Sequence, residues 1–208
     1  MEQDQEKPAN GAASRHVKSE HLAKGKWIAL NQITYRDPTG KERTWEAVER
    51  TTRHSGDTDA VAVIPILKRM LKCDCVILIK QYRPPLNGYT LEFPAGLIDK
   101  DEDPLECAVR ELKEETGYTG IPKHISPGVC LDPGLSSSTV NMVTVEIDGD
   151  VEVNRRPLPE FIEVIPVRMD TLLDTLNEHA KNGLIVHSMV YTYAVASAQM
   201  AKPKKIVP

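Results

Sequence analysis

The sequence predicts an α/β sandwich preceded by a small antiparallel β domain. Runs of β-branched and apolar residues lie on both sides of one acidic amphipathic helix, and two more helical segments follow near the end of the chain. Strands that flank a helix in this order favour layers of sheet and helix over a helical bundle. At 208 residues the chain can bury a core of ordinary size as one main domain, with room for a small appendage.

Charge and composition narrow the classes of function. The net charge of −4 and the pI near 5.9 offer no basic surface for a nucleic-acid backbone, so a nucleic-acid polymer is disfavoured as a partner. Residues 1–15 are polar, and no stretch approaches the roughly 18 apolar residues of a membrane span, so we expect an intracellular protein without membrane association. The four cysteines lack zinc-binding spacing and predict free thiols in a reducing compartment.

The first part of the chain divides into a tail and a hairpin. Residues 1–20 are rich in charged and small polar side chains, which predicts a disordered tail. Residues 21–57 form the predicted β domain, in which extended stretches at 27–35 and 43–51 flank an Asp-Pro-Thr-Gly turn at 37–40. This hairpin contains both tryptophans of the protein.

Residues 58–200 form the predicted main domain. Its strands are predicted at 60–67, 75–81, 89–93, 141–147 and 161–167, and its last two helices at 171–182, capped by Asp170, and at about 188–200. The basic tail at 201–208 could be a nuclear localisation signal, or it could be a solvated chain end. We therefore expect a cytoplasmic protein, with the nucleus as a second location.

The central helix is predicted between Asp103 and Gly117. Asp103 can cap its start, Pro104 suits its first turn, and Gly117 can take the left-handed conformation that ends a helix. One face is expected to be buried because its residues follow the apolar spacing of a helix, namely Leu105, Ala108, Val109 and Leu112.

A second stripe of this helix is acidic. Glu111, Glu114 and Glu115 repel one another at this spacing, so a cation is expected beside them. Arg110 can pair with Glu106 and Glu114 on the outer face, which leaves Glu111 and Glu115 without a counter-charge. Carboxylate oxygens gathered in this way suit Mg²⁺ or Mn²⁺. A solvated acidic helix face is the ordinary alternative for a glutamate-rich run.

The spacing around the helix resembles the Nudix box. The matching positions are Gly96, Glu102, the run Arg110-Glu111-Leu112, the pair Glu114-Glu115, and Gly117 followed by an aromatic residue. The resemblance implies a Nudix α/β/α sandwich with a mixed sheet, and hydrolysis of a nucleoside diphosphate linked to another group. It implies Mg²⁺ as the cofactor, with Mn²⁺ able to substitute and more than one ion per site. Glu111, Glu115 and the carbonyl of Ala95 would be metal ligands, and Arg110 and Glu114 would belong to the catalytic group.

The surrounding segments are similar to the ADP-ribose pyrophosphatase branch of that family, and most of all to the animal ADP-sugar pyrophosphatases. Pro133, sixteen residues beyond Gly117, and the runs at 43–46, 81–85 and 91–96 carry this likeness. It implies hydrolysis of ADP-ribose and related ADP-sugars to AMP and a sugar phosphate, which is ribose 5-phosphate for ADP-ribose. Two alternatives stay open: a housecleaning hydrolase of oxidised nucleoside diphosphates, and a nucleotide-binding module without turnover.

Six residues are predicted to contact the substrate. Indole rings stack on purines, forked guanidinium groups bind diphosphates, and carboxylates accept hydrogen bonds from sugar or base donors. Hydrophobic packing is the alternative role for the tryptophans, and structural ion pairs are the alternative for the arginines. The predicted contacts are Trp27, Trp45, Glu46, Arg50, Arg83 and Asp132.

The catalytic base is predicted to be Glu160. In related enzymes a glutamate on a mobile loop beyond the box positions or deprotonates the attacking water, and Glu160 is the nearest candidate, with Glu163 behind it. The loop at 149–160 looks shorter than in its relatives and lacks their glycine-rich tip, which leaves Glu114 as the alternative base.

The hairpin also predicts how the protein assembles. A two-stranded ribbon is marginal alone in water, and exchange of such an element between identical chains is a low-cost route to a dimer. The family resemblance points the same way. We therefore expect a homodimer in which each active site takes part of its adenine clamp from the neighbouring chain; packing of the hairpin on its own domain is the alternative.

Overall fold

The computed structural model describes residues 13–52, 58–151 and 162–201. They fall into two compact units. Among these residues, the first unit comprises those up to Asp59 together with Cys130–Thr139, and the second comprises Ala60–Val129 and those from Val140 onward. The segment Cys130–Thr139 therefore lies in the first unit, although it falls inside the predicted main domain of residues 58–200.

The first unit is built on a three-stranded antiparallel sheet of β1 (Arg15–Lys24), β2 (Ile28–Arg36) and β3 (Glu42–Arg50). The hairpin of β2 and β3 confirms the prediction. Its turn is held by the carboxylate of Asp37, which accepts hydrogen bonds from the main-chain N–H groups of Thr39 and Lys41. Gly40, at a φ of 85°, supplies the left-handed residue that the turn needs.

Strand β1 shows that the prediction of a disordered tail over residues 1–20 was wrong for residues 15–20. Every residue of β1 is exposed, so the sequence carries no apolar alternation that would announce a strand. Main-chain pairing with β2 defines the strand instead. Residues 1–12 lie outside the described part of the chain.

The segment Cys130–Thr139 joins the first unit by pairing with β3. The N–H of Val48 donates to the carbonyl of Leu135 over 2.8 Å, and the N–H of Ser137 donates back to the carbonyl of Val48 over 3.4 Å. This pairing brings Asp132 into the same unit as the hairpin.

The second unit contains a mixed sheet. Its path runs β12-β6-β5-β4-β10-β8, with β11 added to β5, β7 to β4 and β9 to β10. Strands β4 and β10 are parallel, whereas β5 is antiparallel to both β4 and β6. The strands are β4 (Ala60–Lys68), β5 (Cys75–Arg83), β6 (Gly88–Glu92), β7 (Ala95–Leu97), β8 (Ile121–Ile125), β9 (Val129–Cys130), β10 (Thr139–Asp148), β11 (Glu163–Arg168) and β12 (Ile185–Val186).

Helices pack on both faces of this sheet. The helices are α1 (Pro104–Thr116), α2 (Leu172–Lys181) and α3 (Ser188–Ala201). One core cluster joins Leu112 of α1 to Ile77 of β5, and the other joins Leu176 of α2 and Val190 of α3 to Leu78 of β5. Neighbouring residues of one strand thus face opposite layers. The predicted α/β/α sandwich is confirmed.

Several element boundaries differ from the predictions. Helix α2 begins at Leu172 after a 3-10 turn at Met169–Thr171, and no side chain caps it. The predicted cap residue, Asp170, instead accepts a forked pair of hydrogen bonds from Arg168, at 2.6 and 3.0 Å. The short strands β7, β8, β9 and β12 were not predicted. Residue 161, at the start of a predicted strand, lies outside the described ranges.

The cysteines divide into two classes. All four are free thiols, as predicted; Cys75 and Cys107 are buried, whereas Cys73 and Cys130 are exposed. None of the helices in the described ranges is long and apolar enough to span a membrane.

Candidate active site

Helix α1 is fixed at both ends as its sequence predicts. The carboxylate of Asp103 accepts a hydrogen bond from the N–H of Leu105 over 2.8 Å. At the other end, Gly117 adopts a φ of 73° and its N–H donates to the carbonyl of Lys113. The predicted apolar stripe needs two corrections, because Leu105 is 36 % exposed and Val109 is only partly buried. The buried face consists instead of Cys107, Ala108, Leu112 and Thr116.

Two glutamates, one turn apart on α1, contact strand β7. The carboxyl group of Glu111 lies so close to Gly96 that a Cβ atom there would sit 2.0 Å from it. The carboxylate of Glu115 accepts a hydrogen bond from the N–H of Ala95 over 2.9 Å. Only glycine at position 96 leaves room for this arrangement, which explains the glycine at that place in the sequence pattern.

The electrostatics of these two glutamates favour a bound cation. Burial raises the pKa of Glu115 to about 7, and the negative charge of Glu111 adds to the effect. Burial also raises the pKa of Glu111, despite its hydrogen bond from Arg110. The raised pKa values show that the ionised forms of these two carboxyl groups are disfavoured by burial and by their mutual repulsion. A divalent cation bound beside them would stabilise the ionised forms.

The donor set fits Mg²⁺ or Mn²⁺. The side chains of Glu111 and Glu115 offer only hard oxygen atoms, which these ions prefer. Within the described ranges, no group of three or more His, Cys, Asp or Glu side chains is arranged to hold a metal ion. Such an ion would therefore depend on these two carboxylates together with main-chain carbonyls and water, as is usual for Mg²⁺.

Arg110 organises the carboxylates around it. Its guanidinium donates to Glu102 over 2.7 and 2.8 Å, to Glu111 over 2.6 Å and to Glu114 over 3.3 Å. The expectation that Arg110 would leave Glu111 without a counter-charge was therefore wrong. The reason is that the loop before α1 brings Glu102 to the guanidinium and turns it toward Glu111, where the sequence had suggested a pair with Glu106.

Arg83 lies at the end of β5 and is held by a residue that the sequence analysis did not single out. Its Nε and Nη2 atoms donate to the two carboxylate oxygens of Glu92 over 2.8 and 2.7 Å. The hydroxyl of Thr90 donates to the same carboxylate. The one signal for Glu92 in the sequence is an acidic residue at the end of an apolar strand, directly before Phe93-Pro94-Ala95-Gly96.

The other predicted substrate contacts lie in the first unit. Trp27 is 61 % exposed and Trp45 is 50 % exposed, which argues against a role as core filler for either ring. Trp45 donates from Nε1 to the carbonyl of Gly134 over 3.1 Å, and the Nζ atom of Lys26 lies 4.5 Å from the centre of the Trp27 ring. The remaining members of the set, Glu46, Arg50 and Asp132, are exposed.

The strand register separates the two tryptophans of one chain. The carbonyl of Trp27 accepts a hydrogen bond from the N–H of Thr51, whereas Trp45 lies opposite Ile33, six residues farther along β2. At about 3.3 Å per residue these backbone positions are roughly 20 Å apart. Two rings that sandwich a base must be about 7 Å apart, twice the optimal contact distance. A clamp formed by both indoles of a single hairpin would therefore require the side chains to span most of that gap.

The predicted catalytic base, Glu160, lies outside the described residues. Its alternatives are both visible. Glu163 begins β11 and pairs with Lys80 over 2.8 Å. Glu114 lies on the outer side of α1 in the Arg110 network.

Comparison with known proteins gives consistent results. A model of the NUDIX domain matches residues 56–183. The chain is 51 % identical over 187 residues to the ADP-sugar pyrophosphatase of Mus musculus, covering 86 % of each chain. It is 42 % identical over 187 residues to the ADP-ribose pyrophosphatase of Saccharomyces cerevisiae, covering 87 % of this chain and 80 % of that one. A crystal structure of an ADP compounds hydrolase shares the fold with a TM-score of 0.60 at 22 % identity, over 88 % of this chain and 92 % of the other.

Proposed function

Because this chain belongs to the Nudix family of hydrolases, we propose that it hydrolyses the pyrophosphate bond of ADP-ribose and related ADP-sugars to AMP and a sugar phosphate. One observation at the site carries the proposal. Glu111 lies against Gly96 and Glu115 binds Ala95, so two carboxylates with raised pKa values stand together at the end of a strand. The relatives named above supply the substrate class.

The reaction is attack of water on one phosphorus of the diphosphate. A bond forms between the water oxygen and that phosphorus, the bond from the same phosphorus to the bridging oxygen breaks, and the bridging oxygen leaves with the other phosphate. For ADP-ribose the products are AMP and ribose 5-phosphate.

Nudix hydrolases generally use a divalent metal, and the proposed metal here is Mg²⁺, with Mn²⁺ as a substitute and more than one ion per site. Glu111, Glu115 and the carbonyl of Ala95 would hold it. When bound, it would lower the pKa of the attacking water and neutralise charge on the phosphate oxygens. Arg110 holds Glu111 in place, and its hydrogen bond opposes the rise in the pKa of that carboxyl that burial causes.

The other roles follow from the chemistry of the side chains. Arg83 and Arg50 would bind the diphosphate, Trp27 and Trp45 would stack on the adenine, and Glu46 and Asp132 would accept hydrogen bonds from the nucleoside or sugar. Glu160 would take the proton from the attacking water, with Glu114 as the alternative. A cytoplasmic location, with the nucleus as a second one, is part of the same proposal.

A homodimer with shared adenine clamps is also proposed. The separation of Trp27 and Trp45 along one hairpin supports it, because a ring from a second chain could stand opposite a ring of the first. Their exposure supports it as well, since both indoles are available to a ligand or a neighbouring chain.

Product identification tests the proposed reaction. The purified protein with Mg²⁺ is offered ADP-ribose, other ADP-sugars and oxidised nucleoside diphosphates, and the products are separated by chromatography. We expect AMP and ribose 5-phosphate from ADP-ribose. Glu115→Gln should lower turnover by more than about 100-fold, since a neutral amide binds Mg²⁺ poorly. The exposed Lys113→Ala serves as the control on the same helix. Preferential turnover of an oxidised nucleotide, or none at all, would contradict the proposal.

A further inference from the structure

The ion pair between Arg83 and Glu92 is unequal in its exposure. The side chain of Glu92 is 10 % exposed, whereas that of Arg83 is 43 % exposed. The buried carboxylate accepts hydrogen bonds from Nε and Nη2 of Arg83 and from the hydroxyl of Thr90. Burial raises the pKa of Glu92, but these hydrogen bonds outweigh it and the pKa lies below its ordinary value. Glu92 is therefore an ionised carboxylate that its hydrogen bonds hold in one position, and Arg83 is the partner that reaches solvent.

The register of β5 and β6 shows in which direction Glu92 pulls the arginine. Arg83 lies opposite Gly88, whereas Glu92 lies opposite Ile79, four residues farther back along β5. At about 3.3 Å per residue this is roughly 13 Å along the sheet. The side chain of Arg83 must therefore lie back along the strands, past Thr90, toward the end of β6 from which the chain enters Ala95 and Gly96.

This direction brings the guanidinium toward the acidic pair of α1. The hydrogen bonds that Arg83 donates to Glu92 raise the pKa of Arg83 against the effect of burial, and the negative charges of Glu92 and Glu115 raise it further. The same electrostatic contact lowers the pKa of Glu115 in part. The carboxylate of Glu115 lies near the same end of β6, because it accepts a hydrogen bond from the N–H of Ala95, three residues after Glu92. Arg83 and Glu115 are thus close enough for their charges to interact.

Part of the guanidinium stays available. A guanidinium carries five N–H donors, and Glu92 uses one on Nε and one on Nη2. The other donors, including both on Nη1, meet no acceptor within the described ranges. They are suited to a bidentate acceptor such as a phosphate, because the fork of the guanidinium matches its geometry.

From these contacts we infer that Glu92, braced by Thr90, is a positioning residue that holds Arg83 beside the Glu111–Glu115 pair for binding the substrate diphosphate. The inference rests on the proposed function for the identity of the substrate. Without Glu92 the side chain of Arg83 would be free to extend from the end of β5 into solvent. Each binding event would then have to order this side chain, and the loss of its conformational entropy would weaken the affinity for the substrate.

A double-mutant cycle tests the inference. Glu92→Gln, Arg83→Ala and the double variant are compared with the parent for steady-state hydrolysis of ADP-ribose with Mg²⁺, and for binding of ADP by calorimetry. Glu92→Gln should raise the KM and the Kd for ADP about tenfold, in the range found for residues that orient a functional group, and change kcat less than about threefold. In the Arg83→Ala background the same substitution should change kcat/KM and ADP binding less than about twofold, because it has nothing left to orient.

The controls separate positioning from stability. Thr90→Val keeps a β-branched side chain of similar shape and removes the hydrogen bond from the Thr90 hydroxyl to Glu92, so it should give a smaller change of the same kind. Asp74→Asn removes the ion pair between Lys68 and Asp74 at the other end of β5 and should leave the kinetic constants unchanged. Urea unfolding of every variant shows whether a change in the kinetic constants or in ADP binding results from reduced stability alone.

Each outcome is decisive. Equal costs of Glu92→Gln in both backgrounds would show that Glu92 does not act through Arg83 and would overturn the inference. If the cycle gives the expected coupling in ADP binding but the parent does not release AMP from ADP-ribose, the proposed function fails and the positioning role stands. If ADP-ribose is hydrolysed and the effects are additive, the positioning role alone fails.

Discussion

Glu102 and Glu115 show how neighbours set the charge of a single side chain. The hydrogen bonds from Arg110 hold the pKa of Glu102 at about 2, with a further contribution from the N–H of Asp99. Glu115, one turn after Glu111 and largely enclosed, has a pKa raised to about 7. Glu102 therefore stays ionised down to a pH of about 2, whereas Glu115 needs a cation to stay charged near neutral pH.

The first prediction concerns Glu102 and pH. Its pKa is about 2 in the folded protein and 4.5 ordinarily, so its contribution to stability is complete above about pH 4.5 and is lost as the pH falls toward 2. Glu102→Gln should lower the free energy of unfolding at pH 7 and make it fall less steeply between pH 5 and pH 3. Urea unfolding at pH 7, 5 and 3 measures this, with the exposed Glu106→Gln as the matched control. Parallel curves for the parent and Glu102→Gln would show that the ion pair contributes nothing.

The second prediction concerns the proposed base. Glu160→Gln should lower kcat by about 10²–10⁴-fold and spare the KM, because a general base acts in the transition state. Glu114→Gln and Glu163→Gln are measured beside it. A loss of less than about threefold for Glu160→Gln, together with a large loss for Glu114→Gln, would assign the role to the helix.

The site residues differ in how far the sequence could predict them. Gly96, Glu111 and Glu115 follow a fixed spacing, so their positions were predictable. The partner of Arg110 was not, because the choice between Glu102 and Glu106 depends on the path of the loop before α1. Glu92 was missed because its role depends on a strand register that brings Arg83 back along β6.

At the scale of elements, α1 is the one most completely specified by local sequence. Its cap, its first-turn proline and its terminal glycine lie within a few residues of the helix they define. Strands β1 and β8 are the opposite case. Both are almost wholly exposed, so no apolar alternation marks them, and only pairing with β2 and β10 makes them strands.

The third prediction concerns the ends of α1. Asp103→Ala removes the side-chain acceptor at the helix start and should cost about 1 kcal/mol of stability. Gly117→Ala forces a Cβ into the left-handed conformation at a φ of 73° and should cost about as much. Lys113→Ala, at an exposed position inside the helix, should be nearly neutral. The three are compared by urea unfolding. A neutral Asp103→Ala would mean that packing alone sets the start of the helix.

At the scale of the whole molecule, the proposed dimer has a specific test. Trp45→Ala and Glu115→Gln chains, each weak or inactive alone, are mixed, unfolded and refolded together. If Trp45 acts across the interface and Glu115 within its own chain, each heterodimer has one intact site and one with both defects. Activity should return to about a quarter of the parent level when half of the dimers are heterodimers, as random pairing requires.

A mixture proven by mass spectrometry to contain heterodimers, yet still inactive, would place both residues in one chain. A monomer in sedimentation experiments would exclude the shared clamp directly.

Two of the four cysteines are exposed and two are buried, so thiol reagents should label this protein at defined positions. A maleimide reacts with thiolates, so Cys107, which is buried and has a pKa raised to about 12, should remain unmodified, and buried Cys75 should be protected by its surroundings. Cys73 and Cys130 are exposed, and they belong to the second and the first unit respectively. Two equivalents of dye should therefore attach to the native protein, one to each unit, without any engineered cysteine.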